Sequence, residues 1–196
     1  MQRQHIRNGA LTLSSAAIAV AALMTVTLAH ADRHEGKPPD AVTGLVRDVR
    51  DATQKFNDVT AAMAAGYVSV NSCVSGPNEG AMGVHYVNAA YIDDGVLDVQ
   101  RPEVLVYEPR DGRLQLVAVE FFVIAEQWDA ANAESPVLGG QLFHYVSAPN
   151  RLRLPPHYEL HVWGWKGNPN GTFSDWNPQV SCVEYTGEVE HLGSAH

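Results

Sequence analysis

The feature that most constrains this chain is a change of hydrophobic period near residue 66. Before it, Val42, Leu45, Val46, Val49, Ala52, Phe56, Val59, Ala62 and Met63 recur at three- and four-residue steps, with Arg47, Asp48, Arg50, Asp51, Lys55 and Asp58 largely between them. That spacing predicts a long amphipathic helix of about 24 residues starting at residue 41. Asp40 is its expected N-cap and Gly66 its expected stop. After Tyr67 apolar residues alternate with polar ones, and Gly, Pro, Asp and Asn punctuate the chain. Segments 84–88, 103–108, 114–124, 142–146, 159–165 and 179–185 read as strands. Asp111-Gly112 reads as a hairpin turn, and 71–83, 127–140 and 166–178 read as long connections. The expected architecture is an α+β domain, with one long helix packed on a curved antiparallel sheet or partial barrel of about six strands. A hydrophobic content of 45% supplies the core that such a layered domain needs.

The first 31 residues carry a different message. Arg3 and Arg7 precede an almost uncharged run through Ala16-Ala17-Ile18-Ala19-Val20-Ala21-Ala22-Leu23-Met24, which ends in Ala29-His30-Ala31. A basic start, an apolar middle and a small-x-small exit predict a signal peptide over 1–31. The competing reading is a single membrane anchor, for which about 20 apolar residues suffice. Residues 32–40, with Pro38-Pro39, read as a flexible leader, 41–186 as one α+β domain and 187–196 as a tail. Beyond residue 31 there remain 11 Lys and Arg against 22 Asp and Glu, a formal charge of −11. With no basic cluster to offset it, that charge argues against nucleic acid as a partner. It leaves a small molecule or a metal ion, and after signal cleavage no integral membrane segment is expected. A periplasmic or secreted location also decides how the two cysteines are read. Cys73 and Cys182, 109 positions apart, are expected to form a disulfide, with a thiolate metal site as the rival.

Familiar catalytic signatures are missing from the sequence. There is no G-x-x-x-x-G-K-[ST] loop, no G-x-G-x-x-G after a strand, no G-x-S-x-G and no H-E-x-x-H. Asp93-Asp94-Gly95 lacks the ligand spacing of a calcium loop and reads as a turn. Histidine is more informative. His157 and His161 have a spacing that would make a zinc pair on a helix, but on a strand they stand about 13 Å apart, too far for ~2.1 Å bonds to one ion. Ligands to a shared ion must therefore come from different strands. Glu120 interrupts the apolar row Leu114, Leu116, Ala118, Phe122, Ile124, where a carboxylate is costly unless a cation, a hydrogen-bond network or a wet cavity receives it. His85 is enclosed in Gly83-Val84-His85-Tyr86-Val87, and His161 shares a strand face with Glu159, Trp163 and Trp165. The expected metal ligands are His85, Glu120 and His161, with Glu103 as the fourth. Tyr107, Trp163 and Trp165 are the expected pocket walls. Imidazole with carboxylate suits a divalent transition metal such as zinc, copper(II), iron or nickel. The plain alternative makes each of these an ordinary satisfied polar group at the sheet edge, and the tryptophans a core.

The segments Met82-Gly83-Val84-His85-Tyr86-Val87-Asn88, Leu160-His161-Val162-Trp163 and Asn168-Pro169-Asn170-Gly171 resemble stretches of exported bacterial proteins of uncharacterised function. The resemblance spans most of the chain beyond residue 31 and implies no fold, reaction or ligand. Three functions compete. One is an exported small-ligand or metal-binding protein with a His/Glu pocket in its sheet. The second is a hydrolase or isomerase using the Glu/His pair as general base and acid, and the third is a cell-envelope interaction module contacting partners through its aromatic loop.

Overall fold

The apolar periodicity between residues 41 and 64 folds as two helices rather than one. α1 spans Asp40–Thr53, a 3-10 turn covers Gln54–Asn57, and α2 spans Val59–Ala64. The long-helix expectation is thus corrected, and the cause is local. Asp58 is extended (φ −93°, ψ 110°), and its carboxylate accepts the Thr60 N–H at 2.9 Å, capping α2. Thr53 donates its hydroxyl to the Val49 carbonyl at 2.7 Å, a back-bond that weakens helix continuation. The break turns Phe56 into the core, where its ring meets Tyr67 edge-on at 5.3 Å. The computed structural model describes residues 40–187 and 189–191. The expected signal segment, nearly all of the leader and residues 192–196 lie outside them. Among the described residues no helix is long and apolar enough to cross a membrane.

The period-two region builds one open, seven-stranded sheet. Its members are β1 (Val68–Gly76), β2 (Gly80–Val87), β3 (Val104–Arg110), β4 (Arg113–Ile124), β7 (His144–Val146), β8 (His157–Val162) and β9 (Val189–His191). A separate hairpin pairs β5 (Val137–Leu138) with β6 (Gln141–Leu142). The large sheet runs β7-β8-β4-β3-β2-β1-β9, antiparallel at every step except the parallel pair of β1 with β9. Three segments differ from expectation, and the sheet has seven strands rather than about six. Segment 142–146 divides between β6 and β7. The stretch 71–83 is a β1–β2 hairpin rather than a connection, and 179–185 is held by turns while the final strand lies beyond it. The partial barrel is corrected to an open sheet. Its edges, β7 and β9, are three residues each and lie at opposite ends of the strand order.

Register decides which residues share a face. Leu105 pairs with Val119, Val119 with Val162, and Phe121 with Leu160. This row, all of it buried, packs with Leu45, Val49, Phe56 and Ala62 of the helical layer. The opposite face carries Val104, Glu120 and His161, paired directly across β3, β4 and β8. A sheet face that receives a carboxylate and an imidazole side by side is not built for packing alone.

Gly83 lets β2 lie close against β3. Its φ is +114°, and a Cβ there would stand 2.5 Å from the Tyr107 carbonyl oxygen. Only glycine fits both the backbone and the close approach. Gly83→Ala is expected to lower stability by about 1–3 kcal/mol from backbone strain alone, read as a fall in the urea midpoint at unchanged slope. An unchanged midpoint would contradict this account.

Candidate metal centre

Three strands deliver the central side chains. Glu120 of β4 lies directly opposite His161 of β8. His85 of β2 pairs with Val106 of β3, whose β4 partner is Ala118, so His85 reaches Glu120 diagonally across β3. One oxygen, Glu120 Oε2, stands 3.8 Å from His85 Nε2 and 3.9 Å from His161 Nε2. Those separations exceed hydrogen-bond length. They approach the roughly 3.4 Å that separates two donors sharing a tetrahedral ion through bonds of about 2.1 Å. One donor atom from each of His85, Glu120 and His161 lies within 4.8 Å of the other two.

His161 is the pivot. Its side chain is 1% exposed, and neither ring nitrogen has a hydrogen-bond partner among the described residues. Nδ1 faces Asp175 Oδ1 at 3.6 Å, and the same oxygen is 3.4 Å from His144 Nδ1. Glu159, His161 and Asp175 form a second group with donor atoms within 4.8 Å. Beside it, His157 Nδ1 lies 2.8 Å from the Pro155 carbonyl and Nε2 lies 3.2 Å from Glu159 Oε2. Both neighbours are acceptors, so that ring is satisfied only as an imidazolium, which offsets the Glu159 charge.

The electrostatics follow from burial and neighbours. Burial, helped by His161, pushes the His85 imidazole down to about 4, so it is neutral at pH 7. Burial lifts the Glu120 carboxyl well above the usual range, with His161 acting against it. Burial opposes protonation of His161, but Glu120, Asp175 and Glu159 outweigh it and raise the ring to about 9. A proton thus sits where several carboxylates call for positive charge.

The polar cluster lines a cavity of about 340 Å³. The rest of its lining is hydrocarbon, including Val74, Val87, Val104, Phe122 and Ile124. The size is near the lower end of small-molecule pockets, which run from about 300 to 1,000 Å³.

The remaining expected site residues fall elsewhere. Glu103 is not brought to the group. Its neighbour Val104 pairs with Glu120, so strand alternation sends Glu103 to the opposite face. There it is fully buried, and Oε2 accepts the Phe122 N–H at 3.0 Å. Tyr107 also faces the helical layer and donates its hydroxyl to the Phe56 carbonyl at 2.7 Å. Trp163 backs the site without lining the cavity, its ring nearly parallel to His161 at 6.4 Å. Trp165 leaves the face because β8 ends at Val162 and the Gly164 N–H donates back to the Val162 carbonyl. Its indole N–H then donates to Thr53 Oγ1 at 3.3 Å. Cys73 and Cys182 form the disulfide. Asp93-Asp94-Gly95 closes α3 (Ala89–Asp94) as a turn, and Asp94 Oδ2 accepts from Arg101. Trp176 is half-buried beneath the Arg151 guanidinium, 4.7 Å from its ring centre. Comparison of the chain with family models, curated proteins and solved structures gives no match.

Proposed function

We propose that this is an exported metal-binding protein that holds a divalent transition metal, zinc, copper(II) or iron, through His85, Glu120 and His161. The observation that carries this reading is the His161 ring, buried with both nitrogens unpartnered among the described residues and flanked by carboxylates at 3.6 and 3.9 Å. Each unsatisfied buried polar atom costs about 1–3 kcal/mol, and coordination at Nε2 removes one such cost. Two imidazoles and one carboxylate are a set that binds zinc or iron(II) with coordination positions to spare. Placement on three strands of one sheet holds the ligands in position. The disulfide supports export into an oxidising compartment.

Elemental analysis of untagged protein after zinc loading and desalting tests the proposal. One equivalent per chain is expected, and Glu120→Gln and His161→Ala should each lose it. No bound ion under any loading condition, or equal occupancy in both variants, would overturn the assignment. Asp175 Oδ1, 3.6 Å from His161 Nδ1, serves this site by its charge beside the ring. Asp175→Asn is expected to keep one equivalent but weaken it about 10–100-fold, measured by competition with a chelating indicator. Unchanged affinity would remove Asp175 from the site.

A further inference from the structure

The hydrocarbon part of the cavity has its own consequence. The polar side chains in its lining are His85, Glu120, Glu159 and His161, while Val70, Val74, Val87, Phe122, Ile124 and Leu154 are among its apolar walls. The apolar character continues outward, since Val70 and Leu154 are 49% and 37% exposed and neighbouring Val68 is 62% exposed. A solvent-facing rim of this kind is unfavourable for an isolated domain and useful to an entering apolar ligand. All three proposed metal ligands line the cavity, so an ion held by them turns its free coordination position inward. Glu120 is the one carboxylate among the three ligands, so a divalent ion held by them keeps one net positive charge. Glu159 stands beside His157, and Asp175 does not line the cavity.

We propose that the cavity binds an aliphatic carboxylate, one of its oxygens on the ion at His85, Glu120 and His161 and its chain among the valines and Phe122. This rests on the metal reading above. No bond is made or broken except the coordination itself, in which the carboxylate displaces solvent from the ion. Neutral and cationic amphiphiles of the same length fit the walls equally well but lack the anionic donor.

Calorimetric titration of zinc-loaded and chelator-stripped protein with butanoate, hexanoate, octanoate, octan-1-ol and octylamine tests this, with zinc content measured on each sample. Octanoate is expected to bind loaded protein one to one, and affinity should rise about fourfold per added methylene until the cavity is filled. Stripped protein should bind it at least tenfold more weakly. Val70→Asp, at the exposed rim, should weaken octanoate while leaving zinc at one equivalent. Affinity independent of chain length, equal binding to stripped protein, or octan-1-ol or octylamine binding as tightly would overturn the proposal. Stoichiometric zinc with no octanoate binding overturns this proposal alone, whereas no bound ion under any loading condition overturns the metal reading and this one together.

Discussion

Glu103→Gln is expected to become progressively more stable than the parent protein as the pH rises, by several kcal/mol near pH 8. Glu103 is fully buried, Oε2 has one backbone donor in the Phe122 N–H, and Oε1 has no partner among the described residues. Burial dominates over that hydrogen bond and raises the carboxyl from 4.5 to about 8. A carboxyl raised on folding leaves stability intact below its unfolded value. Above 4.5 the unfolded chain releases the proton while the folded chain keeps it, so stability falls until the folded group ionises near pH 8. At 1.36 kcal/mol per pH unit the full difference approaches about 5 kcal/mol. Glutamine keeps the acceptor for Phe122 and removes the ionisation. His161 and Glu120 titrate in the same window, which makes the wild-type profile composite; the difference between the two proteins isolates Glu103. Chemical denaturation from pH 4.5 to 8.5 provides the test. Two stability curves running parallel across that range would refute the assignment.

Glu103 also shows where sequence reasoning stops. Alternation groups Glu103 with Leu105 and Tyr107, and the register that sets Val104 opposite Glu120 sends that row to the helical face. Glu120 was legible because it breaks a long apolar alternation, a signal carried by the strand itself. His85 and His161 were legible for the same reason, together with the requirement that ligands come from separate strands. Glu159 had an available signal, two residues before His161 on the same strand face, but its share in the second ligand group depends on Asp175. Asp175 comes from the loop between Lys166 and Pro178, where no periodicity exists to aim a side chain. The helix break at Asp58 competes with an unbroken apolar stripe, and capping chemistry prevails over the period. β1 was hidden because Ser69, Asn71, Ser72 and Ser75 dilute its apolar pattern. The loss of Trp165 from the face comes from a turn at Gly164, within an alternation that otherwise looks continuous.

Replacing both cysteines, Cys73→Ala with Cys182→Ala, is expected to cost about 4–5 kcal/mol of stability, because the disulfide closes a 109-residue loop in the unfolded chain. Most of the domain lies inside that loop, including the proposed metal ligands His85, Glu120 and His161 as well as Asp175. Other contacts hold the last part of the loop to the sheet independently. Lys166 pairs with Glu108, whose Oε1 also accepts the Ser181 N–H at 3.1 Å. Ala81 and Asn177 exchange two backbone hydrogen bonds at 3.2 Å. The bond therefore acts chiefly by restricting the unfolded state, and the folded arrangement around Asp175 should survive its loss. The expected result is a large drop in the urea midpoint with little change in zinc affinity for the protein that remains folded. Stability within about 1 kcal/mol of the parent would show that the unfolded chain is already compact enough to need no tether. Loss of zinc affinity in the folded variant would instead show that the disulfide positions the Asp175 loop.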